Sequence, residues 1–179
     1  MQKLVLSLTL FRILSAPFVF ISAIFIENYW LAFWLFNIAA LTDYFDGKLA
    51  RTYQVESRLG AILDPIGDKL LVLFTIITVM VFTQDSYVAL IGVFILAREF
   101  WVSALREYSS SQNNSKATTV TFIAKTKTMV QFIALSMYLL GSATDLALMM
   151  FIASFVLFVA ALLALKSAID YTYNALRSS

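Results

Sequence analysis

Four aspartates carry most of the chemistry open to this sequence. Asp43 and Asp46 are three residues apart, and Asp64 and Asp68 are four apart. Both spacings place a pair on one face of a helix. Gly47 and Ala50 extend the first face with small side chains, and Gly60 lies one turn before Asp64 on the second. Briefly connected helices pack antiparallel, so the two carboxylate faces are expected to meet. Such a cluster repels itself and is poorly hydrated, and it stays ionised only beside a cation. The chain has no Cys and no His, which excludes a zinc site built from them. Oxygen-only ligation at an open, wet site suits one or two Mg²⁺ or Mn²⁺, which keep positions free for substrate phosphates. Two such ions about 3.5–4 Å apart would clamp the attacking and leaving oxygens of a phosphoryl displacement. Gly47, Ala50 and Gly60 leave space for a ligand near the backbone, and Pro65 removes a helical hydrogen bond beside the cluster, which predicts a kink.

The elements that position these groups are membrane spans. Hydrophobic residues make up 61% of the 179 and charged residues 13%, with a mean hydropathy of +0.84. Soluble domains run at about 45–50% and about 25%, so a water-soluble globule, a coiled coil and a disordered chain are excluded. Apolar runs of about 20 residues recur at Ser7–Ile26, Asn28–Leu49, Leu59–Phe82, Tyr87–Tyr108, Thr118–Leu140 and Leu146–Leu165. The fold class expected is all-α: a polytopic integral membrane protein of six transmembrane helices, one domain over residues 1–179. The start reads as a retained first span, because its apolar run carries Arg12 and lacks a small-residue cleavage site. A polar Ser/Asn-rich loop is expected over Ser109–Lys116.

The connections Glu27–Tyr29, Thr83–Ser86 and Gly141–Asp145 contain no Lys or Arg; all 13 fall on the other side. Positive charge stays in the cytoplasm, so both termini are expected there. Nearly every intramembrane charge sits in the cytoplasmic half of its helix. Charges at that depth are costly, and short carboxylates cannot snorkel as Lys and Arg can. A shared wet cavity open to one side follows. A transporter would continue its charges across the membrane, and a non-catalytic assembly protein has no need of four carboxylates at this spacing.

The run Asp43-x2-Asp46-Gly47-x2-Ala50-Arg51-x8-Gly60-x3-Asp64-x3-Asp68 resembles the signature of the CDP-alcohol phosphotransferase family. Eight fixed residues at roughly one in fifteen each match by chance about once in 10⁹ starts. The resemblance implies a six-helix membrane enzyme, a homodimer, that transfers a phosphatidyl group from a CDP-linked lipid to an alcohol and releases CMP. It implies that Asp43, Asp46 and Asp64 ligate metal, and that Asp68 faces the metal too and deprotonates the acceptor. Gly47, Ala50 and Gly60 would line the nucleotide pocket and Arg51 would contact the donor phosphates. No nucleic-acid partner is expected.

The acceptor is narrowed by the second half of the chain. Arg98 and Arg106 are eight apart, on roughly one helix face, and Lys125 and Lys127 begin the next helix. Arg binds phosphate bidentately and Lys adds a point charge, so these four read as a phosphate pocket. The alternative is that they anchor the helices, or pair with Glu99, Glu107 or the acidic site. Ala97–Glu107, Ala124–Thr128 and Leu8–Arg12 resemble bacterial members of the family that make phosphatidylglycerophosphate. That implies CDP-diacylglycerol as donor, sn-glycerol 3-phosphate as acceptor, and a bacterial cytoplasmic (inner) membrane location with the site facing the cytoplasm. Within the family, the alternative is a cardiolipin synthase that accepts phosphatidylglycerol. Two departures stand out: Leu4-Val5-Leu6 replaces an Asn-Pro common before the first helix, and Gly67 stands where Ala is frequent. Thr9 and Arg12 lie i, i+3 near the cytoplasmic end of the first helix. They either complete the nucleotide or phosphate pocket or, for Arg12, snorkel.

Overall fold

The computed structural model describes the backbone of residues 2–53, 58–111 and 122–177, and side chains within 6–43, 59–60, 62–111 and 126–175. Six helices are present among the described residues: α1 (Gln2–Ile24), α2 (Tyr29–Tyr53), α3 (Arg58–Thr83), α4 (Ser86–Ser111), α5 (Phe122–Thr144) and α6 (Ala147–Arg177). Among the described residues there is no strand. Each helix matches the described part of an expected span to within four residues at the short-connection end. Four of them, over Leu6–Ile24, Ile62–Thr83, Ser86–Ser111 and Ala147–Ala175, are by themselves long and apolar enough to cross a membrane. The protein is an all-α multi-pass membrane protein.

The helices close into a ring. α1 packs between α2 and α3, α4 joins α3 to α6, and α5 joins α6 back to α2. The sequential pair α2 and α3 is therefore not the main carboxylate contact. α1 is wedged between them, and α2 touches α3 only slightly. Small buried residues make this closeness possible, among them Ala16, Ala23, Ala32, Ala39, Ala134 and Ala153. Without a solvent drive between helices in lipid, close backbone approach and interhelical hydrogen bonds carry much of the association. Gly92 shows how tight the approach is: a Cβ there would lie 2.9 Å from Ile76 Cγ2 and from Met80 Sδ. Ser136 of α5 donates to Asn37 Oδ1 of α2 at 3.0 Å, and Tyr138 and Ser154 are hydrogen-bonded between α5 and α6 at 2.7 Å. The outside is apolar, with Phe18, Phe25, Trp34, Phe151 and Phe155 exposed, as a lipid-facing surface requires.

The boundaries of α4 and α6 differ from the sequence reading. α3 continues through Pro65 as helix. α4 runs on to Ser111, and Ser109 is buried rather than part of a loop. α6 extends well past Leu165 to 31 residues, about 46 Å at 1.5 Å per residue, longer than the ~30 Å hydrocarbon core. Its last turns pack on α4, where Trp101 Nε1 donates to Thr172 Oγ1 at 3.0 Å. The remainder of the Ser109–Lys116 loop lies outside the described residues.

At the opposite end the connections are very short. Glu27, Gln84 and Asp145 adopt φ of 56°, 50° and 55°, the left-handed conformation that terminates a helix. Asn28 N–H donates to the Ser22 carbonyl at 2.8 Å, and Leu146 N–H to the Gly141 carbonyl at 2.9 Å. The next helices start on side-chain caps, Asn28 Oδ1 accepting from Leu31 N–H and Asp85 Oδ1 from Tyr87 N–H. Left-handed backbone costs a residue with a Cβ roughly 1–2 kcal/mol. Gln84→Gly is expected to raise stability by up to about 1 kcal/mol; an unchanged or lower thermal midpoint in detergent would show that the turn is unstrained.

Candidate active site

α3 places Asp64 and Asp68 on one face, and α2 places Asp43 opposite. What stands between them is α1. Thr9, fully buried, donates its hydroxyl to Asp64 Oδ1 at 2.5 Å. Arg12, also fully buried, donates from Nη1 to Asp68 Oδ1 at 2.8 Å and pairs with Asp43 Oδ1 at 3.2 Å. One guanidinium nitrogen thus joins α2 and α3 through α1. Arg12 does not snorkel. Part of the positive charge that the carboxylates require is the protein's own. Gly67 sits behind this contact: a Cβ there would come 3.3 Å from Ile13 Cγ1 and 3.5 Å from Arg12 Cδ. The small residue lets α1 approach α3 closely enough for Arg12 to reach both acids.

The Asp43 and Asp68 side chains are half-exposed, 50% and 43%, so the acids open outward from a buried base. Gly60 is buried on the same helix as Asp64. Asp46, Gly47, Ala50 and Arg51 continue along α2, and Lys125 lies in the first turn of α5; their side chains are outside the described residues. Among the described residues no three acidic side chains are close enough together to hold a metal ion. The donors present are nonetheless of the right kind. Asp43, Asp64 and Asp68 offer only hard carboxylate oxygens at a hydrated edge, which fits Mg²⁺ or Mn²⁺ and no softer ion.

The basic residues form a second group beside the first. Arg98 is buried and committed to α6: Nε donates to the Ala164 carbonyl at 3.2 Å and Nη2 to Ser167 Oγ at 2.7 Å. Its Nη1 also pairs with Glu99 Oε1 at 3.2 Å. Buried Lys127 pairs with the same Glu99 oxygen. Glu99 therefore holds two cations from two helices side by side. The pairing with Glu99 that the sequence left open as an alternative is present, and it does not remove the group from the site. Arg98, Lys127 and Arg106 line one cavity of about 290 Å³, together with Asp68, Lys69 and Gln131. At ~30 Å³ per water, this is about ten water volumes, a fit for a small polar molecule.

Sequence reasoning underestimated α6. Ser167 and Tyr171 reach the site from residues beyond the expected end of the last span. The apolar run ends at Leu165, before Lys166 and Asp170, and nothing in the spacing distinguishes a lipid boundary from a helix that continues along α4. Gln131 was also missed, although it stands one turn after Lys127 on the same face.

A ring of six helices with acids at one edge and a basic cavity beside them has the kinds of side chain that a membrane-embedded phosphotransfer would use. The family profile of the CDP-alcohol phosphatidyltransferases matches residues 5–166, and the chain belongs to that family. Its relatives include the CDP-diacylglycerol–glycerol-3-phosphate 3-phosphatidyltransferases of Sodalis glossinidius, 36% identical over 94% of this chain and 92% of the relative, and of Escherichia coli strain K12, 38% identical over 92% and 90%. The same enzyme of Shigella flexneri is 38% identical over the same shares.

Removing one partner of a buried ion pair costs about 3–5 kcal/mol, less where the acids left behind can hydrate. Arg12→Leu is expected to destabilise the protein by roughly 2–4 kcal/mol. Arg12→Lys, which keeps the charge but not the planar fork, should lose about half of that. Thermal unfolding in detergent measures both, and an unchanged midpoint in Arg12→Leu would show that the pair does not hold α1 in place.

Proposed function

We propose that the protein transfers the phosphatidyl group of CDP-diacylglycerol to sn-glycerol 3-phosphate, giving phosphatidylglycerophosphate and CMP. The observation that carries this reading is a single small cavity lined by the candidate base, Asp68, and by the cations Arg98, Arg106 and Lys127. A phosphorylated acceptor suits that lining. A neutral alcohol does not need the cations, and phosphatidylglycerol would need a lipid groove as well as this cavity. The names and coverage of the relatives support the same donor and acceptor.

In this reading the phosphate of the acceptor binds between Arg106 and the Arg98–Lys127 pair, with Lys125 adding charge from the preceding turn. Its primary hydroxyl turns toward Asp68. Asp68 accepts the hydroxyl proton as the oxygen attacks the β-phosphorus of the donor in line. The new phosphorus–oxygen bond forms while the bond from that phosphorus to the bridging oxygen breaks, and CMP leaves with that oxygen. Thr9, Gly47, Ala50, Arg51 and Gly60 would take the nucleotide and its phosphates. Asp43, Asp46, Asp64 and Asp68 would hold one or two divalent ions, whose charge neutralises the diphosphate. Arg12 keeps Asp43 and Asp68 at a fixed spacing.

We infer that all six helices span the bacterial cytoplasmic membrane with the site and both termini on the cytoplasmic side. The absence of Lys and Arg from the three short connections supports this. A homodimer is part of the same family reading.

The deciding experiment is CMP release by the purified protein in detergent with CDP-diacylglycerol and Mg²⁺, offering acceptors one at a time. Release with glycerol 3-phosphate alone is expected; release with phosphatidylglycerol instead would overturn the acceptor. Chelation by EDTA should silence turnover and Mg²⁺ or Mn²⁺ restore it. Asp68→Asn keeps an oxygen for Arg12 but no base, and should lower turnover by about 10²–10⁴-fold with the KM for the CDP-lipid little changed. Full activity would remove Asp68 from that role. Arg106→Ala should raise the KM for glycerol 3-phosphate at least about tenfold and leave that for the CDP-lipid nearly unchanged; equal effects on both would place Arg106 elsewhere.

A further inference from the structure

Gln131 is 1% exposed and lines the cavity that holds Asp68 and the cations. Its side-chain nitrogen Nε2 is buried and has no hydrogen-bond partner among the described residues. Buried side-chain amides are nearly always satisfied, and an orphan calls for an explanation. Glu99, Ser103 and Tyr171 share the cavity, yet none is hydrogen-bonded to Nε2. Val72, Val102 and Phe132 share the cavity wall, and the Phe132 ring is stacked on Phe36 at 5.4 Å, which fixes this turn of α5. An apolar residue of the same size would fit the site and cost nothing in desolvation.

We propose that the Gln131 amide donates a hydrogen bond to an oxygen of the acceptor bound in this cavity, making it a specificity-determining residue that contacts substrate. This inference rests on the acceptor reading given above. Its geometry is simple. Gln131 is four residues after Lys127, hence one helical turn along the same face of α5. An acceptor whose phosphate meets Lys127 and Arg106 extends its remaining oxygens within reach of that turn. A neutral amide is suited to the inner part of the cavity: it donates to a hydroxyl or phosphate oxygen without adding another charge to a region with little water. A site built to hydrogen-bond a substrate oxygen also rejects analogues that lack it, because the buried donor is then left unmet.

The test uses the full chain in detergent with CDP-diacylglycerol, Mg²⁺ and glycerol 3-phosphate. Gln131→Leu should raise the KM for glycerol 3-phosphate by roughly 10- to 100-fold. The KM for CDP-diacylglycerol should stay within about twofold, and the thermal midpoint of the substrate-free protein should hold or rise, since the variant removes an unsatisfied group. Gln131→Glu should lose more, because its carboxylate repels the phosphate. If Gln131→Leu does not fold, Gln131→Met, which also lacks the donor, is measured in the same way. An unchanged KM for glycerol 3-phosphate would overturn the inference and assign the amide to an ordered water. Both KM values rising together with a falling midpoint would overturn it in favour of a structural role. A 2-deoxy acceptor, propane-1,3-diol monophosphate, separates the two oxygens. If Gln131→Leu discriminates against it less than the wild type does, the amide serves the 2-hydroxyl; equal discrimination together with the raised KM assigns it to the phosphate. Wild-type protein that releases CMP only with a different acceptor would sink the glycerol phosphate reading itself, and this inference with it, whereas an active wild type beside an unaffected variant sinks this inference alone.

Discussion

The structure depends on burying one guanidinium. Arg12 sits inside the bundle with no exposure, where an uncompensated charge would be intolerable. It is offset by carboxylates from two other helices, Asp43 and Asp68. That requirement fixes the position of three helices at once: α1 must lie between α2 and α3, at a depth where its side chain meets both acids. Gly67 and the alanines along the crossings are the steric side of the same demand. The acids are in turn held apart and oriented, with Thr9 holding Asp64 in the same way. The groups that make the candidate site reactive also keep the first half of the bundle assembled.

The two ends of the bundle are built by different rules. At one end, three connections reverse the chain within a few residues, on left-handed backbone and side-chain caps, and none carries a Lys or Arg. At the other end, helices run long, acids and cations gather, and α6 continues past the apolar run to supply Ser167 and Tyr171. At the short-connection end a cavity of about 490 Å³ is lined by Asp85, Asp145 and Tyr138 and, among the described residues, by no Lys or Arg. Acids and cations share a cavity at the other end, where Asp68 and Glu99 meet Arg98, Arg106 and Lys127.

Much of this could be read from residue types and spacing. Runs of apolar residues located all six helices, because lipid demands length and hydrophobicity and little else. The four aspartates stood out because nothing except a shared wet site explains short acids in such runs. The partner of those acids was less legible. Arg12 looked equally able to snorkel, since a sequence does not reveal which face of α1 turns inward or that α1 would separate α2 from α3. Arg98 and Lys127 were legible as cations of one cavity, but their common tie to Glu99 and the commitment of Arg98 to α6 depend on packing between distant segments. Gln131 was silent for a different reason: an amide in an apolar helix is unremarkable until its surroundings are known to lack a partner for it.

The role of Glu99 has a consequence for charge balance. The cavity is lined by Lys69, Arg98, Arg106 and Lys127 and by Asp68 and Glu99. Four positive and two negative groups leave a surplus of about two, close to the −1.5 to −2 of a phosphate monoester at neutral pH. Without Glu99 the empty cavity would carry a larger surplus in a region of low dielectric, and the loaded one would still not be neutral. With it, the occupied cavity approaches electroneutrality. On the proposed reading, a phosphate-bearing acceptor would then reach the edge of the hydrocarbon without leaving a net ion there.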